Sequence, residues 1–149
     1  MSRTIETTIT IDAAPDKVWR VLADLPRWSE WNPFITEASG RLAVGERLAI
    51  QVVPPGQKAA RFTPEVIEVE EARALRWRGS LPVPGLFVGE HYFGLSTADD
   101  GTRLTHGERF SGLLIPLMGG MLRATEEGFH EMNAALKARV EGEGAARRA

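Results

Sequence analysis

The sequence predicts an α+β domain in which a curved, seven-stranded antiparallel sheet wraps around one long C-terminal helix. Residues 3–11 alternate apolar and polar side chains, as half-buried strands do, and the signals from residue 35 to residue 110 are those of strands and turns. Glycine, proline and aspartate separate these runs and no long helical stretch interrupts them, so neighbouring strands should pair antiparallel. After residue 116 the apolar spacing becomes helical, which predicts the final element.

The N-terminal part predicts one strand followed by two short helices. Residues 3–11 form the strand because they alternate and are rich in β-branched side chains. Pro15 can begin the first helix, since the first helical position needs no N–H donor. Pro26 can begin the second in the same way, and Pro33 must end it.

Six further strands follow, each bounded by residues that favour turns. Asp100-Gly101 lies between two alternating runs and is the clearest hairpin signal among them. The predicted strands are residues 35–42, 47–53, 60–70, 74–79, 86–97 and 102–112.

The last predicted element is a long amphipathic helix that Pro116 can open. Its apolar stripe consists of Met118, Leu122, Thr125, Phe129, Met132, Leu136 and Val140. A sheet of this size must bury one face, and this helix is the large partner available to it. We expect one domain over residues 1–142 and a frayed tail over residues 143–149.

Composition excludes several classes of function. The 149 residues carry a formal net charge of −2, which disfavours a general electrostatic grip on nucleic acid. The absence of cysteine excludes disulfides, thiolate metal sites and cysteine nucleophiles. The N-terminus shows no apolar signal-peptide core, and no apolar run is long enough for stable membrane insertion. We therefore expect a soluble cytoplasmic protein, either a monomer or a homodimer.

Three motifs resemble the START-like superfamily, which includes polyketide cyclases and dehydrases, lipid-transfer domains, and plant hormone-binding and pollen-allergen proteins. The motifs are Ile9-x-Ile11-x-Ala13-x-Pro15-x-x-Val18-Trp19, Asp24-Leu25-Pro26-Arg27-Trp28-x-x-Trp31-x-Pro33, and Gly101-Thr102-Arg103-Leu104-Thr105-His106-x-Glu108-Arg109-Phe110-x-Gly112. The resemblance implies a helix-grip fold with an internal cavity and apolar ligands as a class. It implies no single chemistry, because members of the superfamily include binders, carriers, enzymes and activators of chaperone ATPases.

Strand parity then predicts which side chains face the helix and line the cavity. Three polar residues, His91, His106 and Glu108, fall on the inward faces of the last two strands. The predicted ligand-binding set is Trp28, Trp31, Phe34, Trp77, Phe87, His91, Phe93, His106, Glu108, Phe110, Met118, Leu122, Phe129 and Met132. The tryptophans and the methionine stripe are equally compatible with an ordinary core.

The polar set has several interpretations. A buried carboxylate needs a partner, and a Glu–His pair could share a proton and catalyse proton transfer. The same residues could form a purely structural hydrogen-bonded pair, or a β-bulge could turn them outward. We predict neither a metal nor a cofactor.

Three functions follow from these expectations. The first is a carrier or binding protein that holds a lipid, polyketide or aromatic metabolite in the cavity. The second is a cyclase or dehydrase that uses His91, His106 and Glu108 as a proton shuttle. The third is a protein-binding domain, such as an activator of a chaperone ATPase, whose cavity is filled.

Overall fold

Eight strands and two α-helices follow one another in the described part of the chain, in the predicted order. The computed structural model describes the backbone of residues 2–148 and the side-chain environments of residues 2–143. The strands are β1 (Ser2–Ile11), β2 (Ile35–Ser39), β3 (Ala49–Val52), β4 (Ala60–Phe62), β5 (Glu65–Glu70), β6 (Ala74–Ser80), β7 (Val88–Ala98) and β8 (Gly101–Ser111). The helices are α1 (Pro15–Leu22) and α2 (Gly119–Arg148), with 3₁₀ helices at Leu25–Glu30 and Ile115–Leu117. The α+β helix-grip architecture is confirmed, with eight strands instead of seven.

The additional strand arises because the predicted strand over residues 60–70 is divided at Pro64. Proline has no N–H to donate to a strand ladder and fixes its own φ angle. The pairing of Ile50 with Phe62 nevertheless continues in the same register as the bridge between Arg47 and Glu65. This bridge therefore joins the three-stranded sheet β2-β3-β4 to the five-stranded sheet β1-β8-β7-β6-β5.

The β7–β8 hairpin is confirmed, but its turn lies one residue earlier than Asp100-Gly101. Ala98 pairs with Gly101, so the two loop residues are Asp99 and Asp100, and Asp99 adopts a left-handed φ of 52°. A Cβ atom on Gly101 would overlap the carbonyl oxygen of Ile11. Gly101 is thus needed because strand β1 approaches it closely, and the turn itself does not require it.

Helix α2 begins at Gly119 and not at Pro116. Pro116 lies in the preceding 3₁₀ helix, and Met118 leaves helical geometry with φ −107° and ψ 17°. The backbone N–H of Leu122 then donates to the Met118 carbonyl at 2.8 Å, which starts the α-helical pattern. The predicted frayed tail, residues 143–149, extends beyond the described side chains, so the domain boundary at residue 142 stays a prediction.

The trough of the curved sheet is filled along only part of its length. From Phe129 onward, the apolar side chains of α2, such as Met132 and Leu136, are buried and pack in the core. Phe34 approaches the helix closely because residue 128 is glycine, where a Cβ atom would overlap its ring. Earlier in α2, Leu122 and Thr125 border an open cavity. None of the helices in the described residues is both long and apolar enough to cross a bilayer.

Candidate functional site

A cavity of about 310 Å³ lies between the concave face of the sheet and the first turns of α2. This volume is at the lower end of the range for small-molecule pockets, which runs from about 300 to 1,000 Å³. The wall is formed by Phe34, Ile35, Ile50, Val52, Pro54, Lys58, Ala60, Phe62, Pro64, Trp77, Gly79, Ser80, Leu81, Phe87, Gly89, His91, Glu108, Phe110, Leu114, Met118, Met121, Leu122 and Thr125.

The wall is predominantly apolar, and its polar residues are Lys58, Ser80, His91, Glu108 and Thr125. Of its charged residues, Lys58 is exposed, whereas the side chain of Glu108 is only 18% exposed. His91 lies beside Glu108 and is buried. A ligand inside the cavity would therefore contact mainly hydrocarbon and aromatic surface, with the Glu108–His91 pair on the sheet side and the Thr125 hydroxyl on the helix side as polar contacts.

Eight of the fourteen predicted ligand-binding residues line the cavity. They are Phe34, Trp77, Phe87, His91, Glu108, Phe110, Met118 and Leu122. The other six lie elsewhere. Trp28, Phe93, His106, Phe129 and Met132 are buried but do not border the cavity, and Trp31 borders a separate cleft on the outside of the domain.

Sequence reasoning missed the wall contributed by the small sheet and the loops. Ile50 and Val52 are two residues apart on β3, so strand parity could have placed both of them on one face. Pro54, Pro64 and Leu81 lie outside strands, where no period predicts the direction of a side chain. Their place in the wall becomes apparent only when the loops are packed.

A continuous chain of hydrogen bonds runs from the cavity wall into the core. Glu108 Oε1 lies 3.2 Å from His91 Nδ1, and His91 Nε2 lies 2.7 Å from His106 Nε2. His106 Nδ1 lies 2.8 Å from Asn133 Oδ1. Asn133 Nδ2 then donates to Thr7 Oγ1 at 2.8 Å, and Thr7 Oγ1 donates to the main-chain oxygen of His106 at 2.8 Å.

Strand register brings these five residues together. His91 pairs directly with Glu108 across β7 and β8, and His106 pairs with Thr7 across β8 and β1. Asn133 reaches them from helix α2. Thr7 and Asn133 were not predicted as site residues. Their signal in the sequence is that each is a polar residue on an apolar face, since Thr7 is two residues from Ile5 on the strand and Asn133 is one turn from Phe129 on the helix.

Aromatic rings enclose the two histidines. Trp77 stacks on His91 with ring centroids 4.8 Å apart. Phe93 and Phe129 stack on His106 at 4.4 and 4.2 Å. These contacts exclude water from the imidazoles, which penalises any charged form.

Burial shifts the pKa of each titratable group in the chain toward its neutral form. Desolvation lowers the pKa of His91 to about 3. The pKa of His106 is also lowered well below its ordinary value, mainly by desolvation and further by His91. Desolvation raises the pKa of Glu108 to about 8. At neutral pH these shifts favour two uncharged imidazoles and a protonated carboxyl group.

Gly89 allows Glu108 to reach His91. A Cβ atom built on Gly89 would overlap Oε2 of Glu108, so the carboxyl group occupies space that any other residue would fill. The glycine also lines the cavity. It is therefore a structural requirement for the position of the Glu108 carboxyl group.

A second cleft, of about 440 Å³, lies on the outside between α1, the first 3₁₀ helix and the later part of α2. Several of its side chains are charged and form ion pairs, such as Arg27 with Asp24 and Arg139 with Glu30. A wall of this composition does not suit an apolar ligand, so the internal cavity is the better candidate site.

The fold and the internal cavity define a START-like protein of the helix-grip kind. The family described as polyketide cyclase/dehydrase and lipid transport matches residues 2–141, and the chain belongs to this family. The resemblance stated from the sequence is thereby confirmed. No curated protein matches the sequence significantly.

Three solved structures share the fold of this chain at low sequence identity. The Zhui aromatase/cyclase from Streptomyces sp. R1128 is 18% identical, with a TM-score of 0.77 over 95% of this chain and 94% of that one. A START superfamily protein from Mycobacterium smegmatis is 22% identical, with a TM-score of 0.73 over 93% and 97%. Truncated norcoclaurine synthase from Thalictrum flavum is 14% identical, with a TM-score of 0.72 over 94% of each chain.

Proposed function

We propose that the protein holds one small, predominantly apolar molecule in the internal cavity and acts as a binding protein or carrier. The observation that supports this most is the open cavity of about 310 Å³, walled mainly by apolar and aromatic side chains. Removing the ligand's apolar surface from water would supply most of the affinity, at about 25 cal/mol per Å². The ligand class is a lipid, polyketide or aromatic metabolite.

The test is to fill part of the cavity with one larger side chain. Met118 lines the cavity, whereas its neighbour Leu117 does not and is 83% exposed. Met118→Trp should reduce binding of the neutral dye N-phenyl-1-naphthylamine at least tenfold, because the larger ring would occupy ligand volume. Leu117→Trp is the matched control and should bind the dye as the wild type does. An equal loss of dye binding in both variants, or no loss in either, would contradict binding in this cavity.

The second candidate is a cyclase or dehydrase that transfers protons to and from its substrate. The observation that favours it is the Glu108–His91–His106 chain, whose outer end borders the cavity. A carboxyl group with a pKa of about 8 is suitable for general acid–base catalysis near neutral pH. In this proposal Glu108 gives a proton to the departing hydroxyl group and takes one from the adjacent carbon, so that water leaves and Glu108 regains its proton, while His91 and, through it, His106 hold the carboxyl group in place.

A matched pair of measurements separates the two candidates. The wild type and Glu108→Gln would be incubated with a synthetic linear poly-β-ketone, and loss of water would be followed by mass spectrometry. For an enzyme, Glu108→Gln should keep ligand binding and lose dehydration. Equal dehydration by the two proteins would exclude Glu108 as the acid–base group.

A protein-binding role has one supporting feature. Leu113 and Leu117 are 73% and 83% exposed in the segment before α2, as a docking surface would require. The open cavity favours a ligand instead.

We also propose a cytoplasmic location without a nucleic-acid partner, supported by the absence of cysteine and by the balanced charge.

A further inference from the structure

The hydrogen-bond chain has a direction that is set at its inner end. Thr7 has a single hydroxyl proton, and it donates this proton to the main-chain oxygen of His106 at 2.8 Å. Thr7 Oγ1 can then only accept a hydrogen bond from Asn133. The Asn133 amide nitrogen therefore faces Thr7, and its oxygen faces His106.

This orientation determines the position of every proton further along the chain. Because Asn133 Oδ1 can only accept, His106 Nδ1 carries a proton, and Nε2 of the neutral ring is an acceptor. His91 Nε2, 2.7 Å away, must then carry the proton that the two nitrogens share. Nδ1 of a neutral His91 is consequently an acceptor. The proton of the hydrogen bond between His91 Nδ1 and Glu108 Oε1 must therefore be carried by Glu108 Oε1.

The alternative is an ionised Glu108 beside a doubly protonated His91. That ion pair would place an imidazolium at a side chain that is only 5% exposed, stacked on Trp77 and in contact with a second imidazole. Such a buried charge is costly, and the directions of the pKa shifts of His91 and Glu108 both oppose it. The other charged residue of the wall, Lys58, is exposed and has no hydrogen bond to Glu108.

We propose that Glu108 is a neutral carboxylic acid whose proton is directed away from the cavity, and that the cavity consequently selects an uncharged ligand carrying a hydroxyl donor. In this proposal Thr7 and Asn133 are positioning residues that act through the two histidines. The inference deepens the ligand-binding function proposed above and rests on it.

The selectivity follows from the atom that remains free. The protonated Oε1 of Glu108 donates a hydrogen bond to His91 Nδ1, so Oε2 presents only a carbonyl-type acceptor to a ligand. A ligand hydroxyl can donate to Oε2 without disturbing the chain. A ligand carbonyl, ether or carboxylate oxygen would face another acceptor, or would take the proton that satisfies His91.

Three probes of similar shape test the selectivity by titration calorimetry at pH 7. They are 2-naphthol, which has a donor, 2-methoxynaphthalene, which has an acceptor only, and 2-naphthoate, which is an anion. The wild type should bind 2-naphthol on the order of tenfold more tightly than 2-methoxynaphthalene, as expected for one buried hydrogen bond. It should bind 2-naphthoate most weakly. Equal binding of the first two probes, or tightest binding of the anion, would contradict the proposal.

Two substitutions of Glu108 refine the test. The glutamine side chain reproduces the hydrogen bonds of a protonated glutamate, because its NH₂ can donate to His91 and its oxygen can accept from the ligand. Glu108→Gln should therefore keep the preference for 2-naphthol, whereas Glu108→Leu should abolish it and still bind 2-methoxynaphthalene. Loss of the preference in Glu108→Gln would show that a carboxylate is required and would overturn the inference.

The role of Thr7 is tested without any ligand, by following the ¹³C signal of the Glu108 carboxyl group against pH. In the wild type this group should be protonated at pH 7. Thr7→Val removes the acceptor that fixes Asn133, so the amide can turn, the protons along the chain can reverse, and the pKa of Glu108 should fall. The control is Thr8→Val, at an exposed neighbouring position on β1.

The outcomes distinguish this inference from the proposed function. An ionised Glu108 at pH 7 in the wild type, or equal pKa changes in Thr7→Val and Thr8→Val, would contradict the inference even if the probes bind. Failure of all three probes to bind would contradict the ligand-binding function, and the selectivity with it.

Discussion

A Cβ atom on residue 89 would overlap Oε2 of Glu108, whereas one on residue 79, in the same cavity wall, would meet only Pro64 at 3.8 Å. Gly89→Ala should displace the carboxyl group and break its contact with His91. We expect a loss of about 1–3 kcal/mol in the free energy of unfolding, because buried polar groups lose their partners. Urea denaturation measures this loss.

Gly79→Ala is the matched control for this effect. It adds the same methyl group to the same wall, and its free energy of unfolding should stay within about 0.5 kcal/mol of the wild type. Equal destabilisation by the two substitutions would mean that the overlap at residue 89 has no specific consequence for Glu108.

The buried titratable groups also predict how stability depends on pH. Glu108 holds its proton up to about pH 8 in the folded state but releases it near 4.5 when unfolded, so its contribution falls as pH rises between these values. His91 stays neutral down to about pH 3 in the folded state but becomes protonated below about 6.5 when unfolded. Its contribution therefore falls as pH drops from 6.5 to 3, and the lowered pKa of His106 acts in the same direction.

These opposing effects should produce a stability maximum near pH 6.5 and a decline toward pH 8. The free energy of unfolding, measured in urea across this range, tests the expectation. Glu108→Gln should remove the decline above the maximum, whereas Glu126→Gln, at an exposed position on α2, should preserve it. A wild-type profile that rises steadily from pH 6.5 to 8 would contradict a protonated Glu108.

Strand parity predicted part of the site but not its chemistry. Because side chains alternate along a strand, His91, His106 and Glu108 could be assigned to inward faces from the sequence. The bond between the two histidines depends on the exact register, which the position of the turn at Asp99 sets. The contribution of Asn133 depends on the rotation of α2 over the sheet, which a helical period does not specify to one residue.

At the scale of elements, the contact between Phe34 and Gly128 sets how closely α2 approaches the sheet. A Cβ atom at residue 128 would overlap the Phe34 ring, whereas one at residue 120 would meet nothing within 4 Å. Gly128→Ala should therefore destabilise the fold by about 1–3 kcal/mol through overpacking. Gly120→Ala should stabilise it by up to about 1 kcal/mol, because alanine favours the helix. Thermal and urea unfolding of this pair give a direct comparison, and stabilisation by both substitutions would contradict the close contact.

The order of elements was predictable because each carries its own period and its own turn residues. The division of residues 60–70 was not predicted, although Pro64 marks the position, because residues typical of strands occur on both sides of it. The late start of α2 was missed for a similar reason. Proline is suitable for the first position of both a 3₁₀ helix and an α-helix, and the sequence does not distinguish them there.

At the scale of the whole molecule, the cavity exists because α2 fills only one part of the trough. Its later turns pack Phe129, Met132 and Leu136 against the sheet, and its first turns leave a space that Met118 and Met121 border. The resemblance to START-like proteins implied such a space. Its volume and its wall could not be obtained from the sequence, because they depend on the distance between helix and sheet and on the packing of loops.

Methionine methyl groups report on this arrangement, since Met118 and Met121 border the cavity, whereas Met132 is buried in the core and does not border it. The most direct test is a nuclear Overhauser measurement on methyl-labelled protein saturated with 2-naphthol. Binding in this cavity predicts cross-peaks from the ring protons of the probe to the methyl groups of Met118 and Met121, and none to that of Met132. A bound probe without cross-peaks to Met118 and Met121 would contradict it.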